Sequence, residues 1–261
     1  MTATDTRCEK RRKPPRKRAY ILPNLLTSIS LFAGFYSLVS SIDGKFMAAA
    51  WAILVSGIFD GLDGRVARIT GTTSKFGLEY DSLADLVAFG VAPGILAFTW
   101  ALRGFGRLGW LAAFLYVATT ALRLARFNTL GSSGPGSKSF FLGLPCPSAA
   151  AMVATTVLMC NHFGISGPVH HYGLLIMIYG LSFLMVSNVR YYSFKEMQWF
   201  NQHPFRGLVA VLLTMVIIAI EPKVTLFVLF LFYCLSGPLL YPLGAAIQRR
   251  REETKATFNQ Q

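Results

Sequence analysis

Negative charge is scarce in this 261-residue chain, where 12 Asp and Glu stand against 25 Lys and Arg. Charge of either sign is thin, at 14% of residues. With 53% of residues hydrophobic and a mean hydropathy of +0.48, this excludes an ordinary soluble domain of this length. The four cysteines, Cys8, Cys146, Cys160 and Cys234, contain no Cys-x-x-Cys pair, which argues against a zinc site and a disulfide framework. The histidines, His162, His170, His171 and His203, have no metal-ligand spacing and fall at predicted loop edges. The glycine-rich stretch 131–139 lacks the Gly-Lys-Ser/Thr order of a phosphate loop and reads as a flexible linker.

What the chain has instead is long apolar runs. A helix needs about 20 mostly apolar residues to cross the hydrocarbon of a bilayer. Runs of that kind recur at 21–42, 46–68, 79–102, 108–128, 145–163, 171–189, 205–220 and 224–247, predicting an all-α membrane protein of about eight spans. The run at 205–220 is the weakest, because Glu221 and Pro222 stop it early. Residues 1–18 are polar, basic and contain Pro14-Pro15, so they read as a disordered tail leading into an uncleaved first span.

The net charge of +13 could suggest a nucleic-acid partner, but the distribution of the cations points to a membrane. With eight crossings and a cytoplasmic N-terminus, 21 of the 25 Lys and Arg residues fall on the cytoplasmic side, leaving Lys45, Arg103, Arg107 and Lys223 opposite. That split obeys the positive-inside rule, with both termini cytoplasmic and no nucleic acid required.

Ionisable groups inside spans are costly and mark chemistry. Five of the 12 acids, Asp60, Asp63, Glu79, Asp81 and Asp85, crowd the second and third spans. Asp60 and Asp63 are three residues apart and Asp81 and Asp85 four apart, so each pair shares a helix face. At a helical rise of about 1.5 Å per residue, Asp63 and Asp81 lie roughly 6–7 Å inside their helix ends and Asp60 and Asp85 roughly 12 Å inside. Two adjacent antiparallel helices would therefore gather four carboxylates at matched depths near the cytoplasmic surface. Arg65 and Arg68 can neutralise two of those charges, and the remainder calls for hard cations such as Mg²⁺ or Mn²⁺. A cluster of this size can hold a two-metal site for phosphoryl chemistry.

The full spacing is Asp60-x-x-Asp63-Gly64-x-x-Ala67-Arg68, eight residues, then Gly77-x-x-x-Asp81-x-x-x-Asp85. It resembles the signature of the CDP-alcohol phosphatidyltransferases at every fixed position. Pro23-Asn24-Leu25-Leu26-Thr27, the Asp81–Pro93 segment, Arg123-Leu-Ala-Arg126-Phe127-Asn128 and Phe141–Pro147 look like the branch of membrane phosphatidylserine synthases. The resemblance runs from about residue 20 to 190.

That resemblance implies a six-helix catalytic core at 19–190, an added C-terminal hairpin at 191–248 and a cytoplasmic tail at 249–261. It implies a homodimer in the cell membrane whose polar cavity opens to the cytoplasm. The implied reaction moves the phosphatidyl group of CDP-diacylglycerol to L-serine. Asp60, Asp63, Asp81 and Asp85 would bind metal, with Asp85 also deprotonating the acceptor. Asn24, Thr27, Gly64, Ala67, Arg68 and Ser74 would contact the donor. Arg123, Arg126 and Asn128 would hold the acceptor or a phosphate, since serine brings a carboxylate and the donor a diphosphate.

The same signature also serves other acceptors, namely glycerol 3-phosphate, an inositol phosphate or choline. A cation transporter is the rival of another class, but it expects acids near the midplane and an internal repeat, and neither is found. No His-x-Lys-x-x-x-x-Asp stretch of a phospholipase-D-type transferase occurs.

The charge split generates a topological prediction. A cysteine placed at Lys75 or Lys138 reacts with impermeant thiol reagents from the cytoplasmic face alone. Labelling of both from outside would reverse the orientation.

Overall fold

The computed structural model describes residues 21–71, 74–131, 140–165, 172–192 and 219–239, with scattered positions between 209 and 216. The basic tail, most of the 131–139 linker, His170, His171, His203 and the C-terminal tail lie outside the described residues.

Seven helices are described. Helix α1 covers Ile21–Ile42, α2 Phe46–Thr70, α3 Lys75–Trp100, α4 Arg107–Gly131, α5 Cys146–His162, α6 Tyr172–Val186 and α7 Pro222–Leu239. A two-stranded antiparallel ribbon joins β1, Phe140–Leu142, to β2, Arg190–Tyr192. Five helices, α1 to α4 and α7, are long and apolar enough to cross a bilayer. The expected fifth and sixth spans form helices of only 17 and 15 residues, α5 and α6. Of 205–220, the described positions are helical but scattered. Five full-length spans are thus found among the described residues, and the expected count of eight is not established. The fifth run, 145–163, matches its helix to within one residue at each end, whereas the sixth, 171–189, continues past the helix end into the turn at Ser187–Val189.

Helices α1 and α2 form the antiparallel pair on which the site is built. Small polar residues let them approach: the hydroxyls of Ser30 and Ser56 lie 2.8 Å apart, and each also donates to the other's backbone carbonyl. In hydrocarbon, small residues and shared hydroxyl bonds replace the hydrophobic drive that is absent there. Gly34 is the closest point against α3, since a Cβ there would sit 2.7 Å from Ala88 Cα.

The α2–α3 connection begins at Gly71, whose φ of +63° ends α2 in a left-handed cap. Ser74 restarts the chain as the N-cap of α3, its side chain accepting from the Gly77 N–H at 2.9 Å. Within α3, residues Leu86–Val91 form a π turn directly after Asp85. Such turns recur at functional sites. Pro93, without an N–H, cannot donate to the Phe89 carbonyl. The fully buried Tyr116 of α4 donates its hydroxyl there instead, at 3.2 Å. That buried bond ties α3 to α4 and fixes the rotation of the acidic half of α3 relative to its neighbours.

Glycine contacts supply a stability test. Gly34→Ala must force α1 from Ala88 and is expected to destabilise by about 1–3 kcal/mol, as overpacking does. Gly180→Ala, within α6, meets nothing within 4 Å and should be neutral or stabilising by up to about 1 kcal/mol. Thermal unfolding in detergent micelles checks both, and equal shifts would refute the close α1–α3 contact.

Candidate metal centre and donor cavity

The helical spacing of the acids carries through to three dimensions. Asp60, Asp63 and Asp81 each offer an oxygen within 4.8 Å of the other two. Asp85 joins from the next turn of α3, its carboxyl group within hydrogen-bonding reach of Asp60. Asp63 is buried, and its Oδ2 accepts from the Thr27 hydroxyl of α1 at 2.8 Å. Three helices therefore converge on one cluster.

Local charge is left unbalanced. Among the described residues no Lys or Arg makes an ion pair with any of these four carboxylates; the described ion pairs are Lys45–Asp43 and His162–Glu221, both away from the cluster. The expectation that Arg65 and Arg68 neutralise two charges is corrected here. Both are exposed, and Arg68 Nε donates to the Gly64 carbonyl of its own helix at 2.8 Å. Asp81 Oδ1 is buried without any hydrogen-bond partner. A buried, unpartnered carboxylate oxygen facing two other carboxylates is the donor set that a hard divalent cation satisfies. The residues present fit such an ion.

Beside the cluster lies a cavity of about 180 Å³, walled by α1, α2 and the start of α3. Asp63 and Asp81 reach it, and so do Asn24, Thr27, Gly64, Ala67 and Ser74, five of the six residues expected at the donor. Arg68, the sixth, is one turn beyond Gly64. Pro23, which opens the Pro23–Thr27 segment that carries the resemblance, also lines the cavity, and so does Leu78, which was not singled out from sequence because it carries no polar group. Gly77 is needed for space: a Cβ there would meet Ser74 Oγ at 3.1 Å and Asn24 Oδ1 at 3.2 Å. No Cβ-sized obstruction lies within 4 Å of Gly64, so the backbone of α2 is open to a ligand.

The remaining three site residues sit on α4. Asn128 donates to Ser82 of α3 at 3.0 Å, so it braces the acidic helix. Arg126 donates to Asn188 Oδ1 at 2.8 Å, in the turn before β2. Arg123 donates through Nη1 to Cys146 Sγ at 3.4 Å, while its buried Nε has no partner. Sequence spacing placed both arginines on one face without revealing that Asn188 holds Arg126.

Comparison with known proteins agrees with this geometry. The CDP-alcohol phosphatidyltransferase family model matches residues 20–186. A CDP-diacylglycerol–serine O-phosphatidyltransferase of Helicobacter pylori is 40% identical over 224 residues, covering 85% of this chain and 92% of that one. The protein of that name from Mycobacterium leprae is 35% identical over 237 residues, covering 87% and 77%. An archaetidylserine synthase of Methanothermobacter thermautotrophicus is 37% identical over 172 residues, covering 65% and 69%. With four aspartates in the resembling spacing gathered in one cluster beside the cavity, and a family match over most of its length, the chain belongs to the CDP-alcohol phosphatidyltransferases.

Proposed function

We propose that this enzyme transfers the phosphatidyl group of CDP-diacylglycerol to the hydroxyl of L-serine, giving phosphatidylserine and CMP. The observation that carries the reading is the convergence of Asp60, Asp63 and Asp81 beside a cavity lined by the expected donor contacts. The names of the relatives, two serine transferases and one archaetidylserine synthase, support serine as acceptor.

In this reading the cytidine nucleotide enters the cavity between Asn24 and Thr27 of α1 and the open backbone at Gly64 and Ala67. Ser74, at the N-terminus of α3, contacts the donor from the far wall. Arg68 lies at the cavity's outer edge, where its guanidinium meets the diphosphate. Two divalent ions, Mg²⁺ or Mn²⁺, held among the four aspartates would neutralise the diphosphate and polarise its phosphorus. Asp85 takes the proton of the serine hydroxyl, whose oxygen bonds to the phosphorus bearing diacylglycerol as the bond to CMP breaks. Arg123, Arg126 and Asn128 stand on the acceptor side, one helix away from the donor cavity.

The charge split of the sequence supports a cytoplasmic cavity and cytoplasmic termini. Family resemblance supports a homodimer in the cell membrane.

The test is direct. Asp60→Asn and Asp81→Asn each remove a carboxylate oxygen while keeping side-chain volume. Phosphatidylserine formation by the purified variants should fall by about 100-fold or more, since even outer-shell changes at metal sites cost about 10–100-fold. Both should remain inserted and folded. Turnover near wild type in either variant, at saturating divalent ion, contradicts the proposal.

A further inference from the structure

Helix α7 begins well beyond residue 186, where the family match ends, yet it is seated closely on the core. The buried Tyr191 of β2 donates its hydroxyl to the Cys234 carbonyl at 3.1 Å. Gly237 leaves room for that ring: a Cβ there would stand 2.7 Å from the Tyr191 hydroxyl. The Tyr191 and Tyr233 rings lie against each other with centroids 5.7 Å apart.

This seating brings Tyr233 to the acceptor side. Its hydroxyl lies within hydrogen-bonding reach of the side chain of Ser148, in the first turn of α5, and within electrostatic reach of Arg123. Cys146, at the start of the same turn, touches Arg123 and lies within electrostatic reach of Asp85. Register fixes the level. Ser82 bonds to Asn128, Gly90 faces Thr120 and Gly94 faces Val117, so antiparallel α3 and α4 set Arg123 within a turn of Asp85. Among the described residues this guanidinium makes no ion pair with the acid and instead donates to the Cys146 thiol.

A guanidinium with a buried, unpartnered Nε and no carboxylate within 4.0 Å among the described residues is costly to keep. An anion arriving with the substrate offsets that cost, and the N-terminus of α5 adds its partial positive charge at the same place. Arg126, already bonded to Asn188, has less to offer.

Resting on the serine-transfer reading, we propose that Arg123 receives the carboxylate of the acceptor and that Tyr233, through Ser148 and the first turn of α5, is the positioning residue that holds this subsite in shape. Helix α7 is thereby a determinant of acceptor recognition. Tyr233 touches no reacting atom. Losing its hydroxyl loosens the frame around Arg123 and leaves the donor cavity, which is lined by α1, α2 and the start of α3 and by no residue of α4, α5 or α7, as it was.

Steady-state kinetics of phosphatidylserine formation by the full-length enzyme test this. Tyr233→Phe should raise the KM for serine about 3- to 10-fold, the loss of one hydrogen bond. The KM for CDP-diacylglycerol and kcat at saturating serine should stay within about twofold. Ser148→Ala should do the same, and the double variant should be no worse than either single one. An equal rise in both KM values, a fall in kcat alone, or additive effects would assign Tyr233 a general structural role and overturn the inference. A wild-type enzyme that forms no phosphatidylserine, but a different lipid, would overturn the serine reading itself and this subsite with it.

Discussion

Four carboxylates gathered at one end of a helical bundle, without a paired cation among the described residues, form the constraint on which the rest of this structure depends. Like charges in a partly desolvated site repel, and a fold that brings them together must hold them there by other means. The packing of α1, α2 and α3 does so. Ser30 and Ser56 close the α1–α2 pair, Gly34 lets α3 approach, and Thr27 bonds Asp63 directly. The fourth helix contributes through Tyr116, whose hydroxyl fills the bond that Pro93 cannot make. Each of these contacts is individually modest. Together they leave the carboxylates little room to separate, so a bound cation is the natural relief of the charge.

The proposed function assigns different tasks to the two sides of this cluster. The donor side is walled by α1, α2 and the capped start of α3, and it is built from small residues that expose backbone. On the other side, α4, the N-terminus of α5 and α7 supply the cations and hydroxyls suited to a small zwitterion. Asp85 joins the acidic cluster one turn beyond Asp81, and the register of α3 against α4 sets it within a turn of Arg123, which is where the proposed reading needs a base for the acceptor.

Much of the acidic cluster was legible in the sequence. Spacings of three and four residues are read by any helix in the same way, and the charge cost of burying acids is independent of the fold. Asn24, Thr27 and Ser74 could be placed at the donor through family resemblance, and the cavity includes all three. Other features were not legible because they are set by tertiary packing. Nothing local in Asn188 marks it as the partner of Arg126, and nothing in Tyr233 reveals its approach to Ser148 across 85 residues of chain. The short α6 was over-extended at its C-terminal end because the turn at Ser187–Val189 looks like helix to a hydropathy window. The π turn after Asp85 was missed for a related reason: periodicity over six residues is too brief to distinguish it from the helix around it.

The central claim is that these carboxylates serve metal-assisted phosphatidyl transfer to serine. The most direct measurement supplies the purified protein with CDP-diacylglycerol and, in parallel, L-serine, glycerol 3-phosphate, inositol phosphate or choline, each with Mn²⁺ or Mg²⁺ and with chelator, and identifies the lipid formed. The account predicts phosphatidylserine from serine, abolished by the chelator and restored by added divalent ion. Undiminished product in chelator, or a phospholipid formed from another acceptor and none from serine, would contradict it.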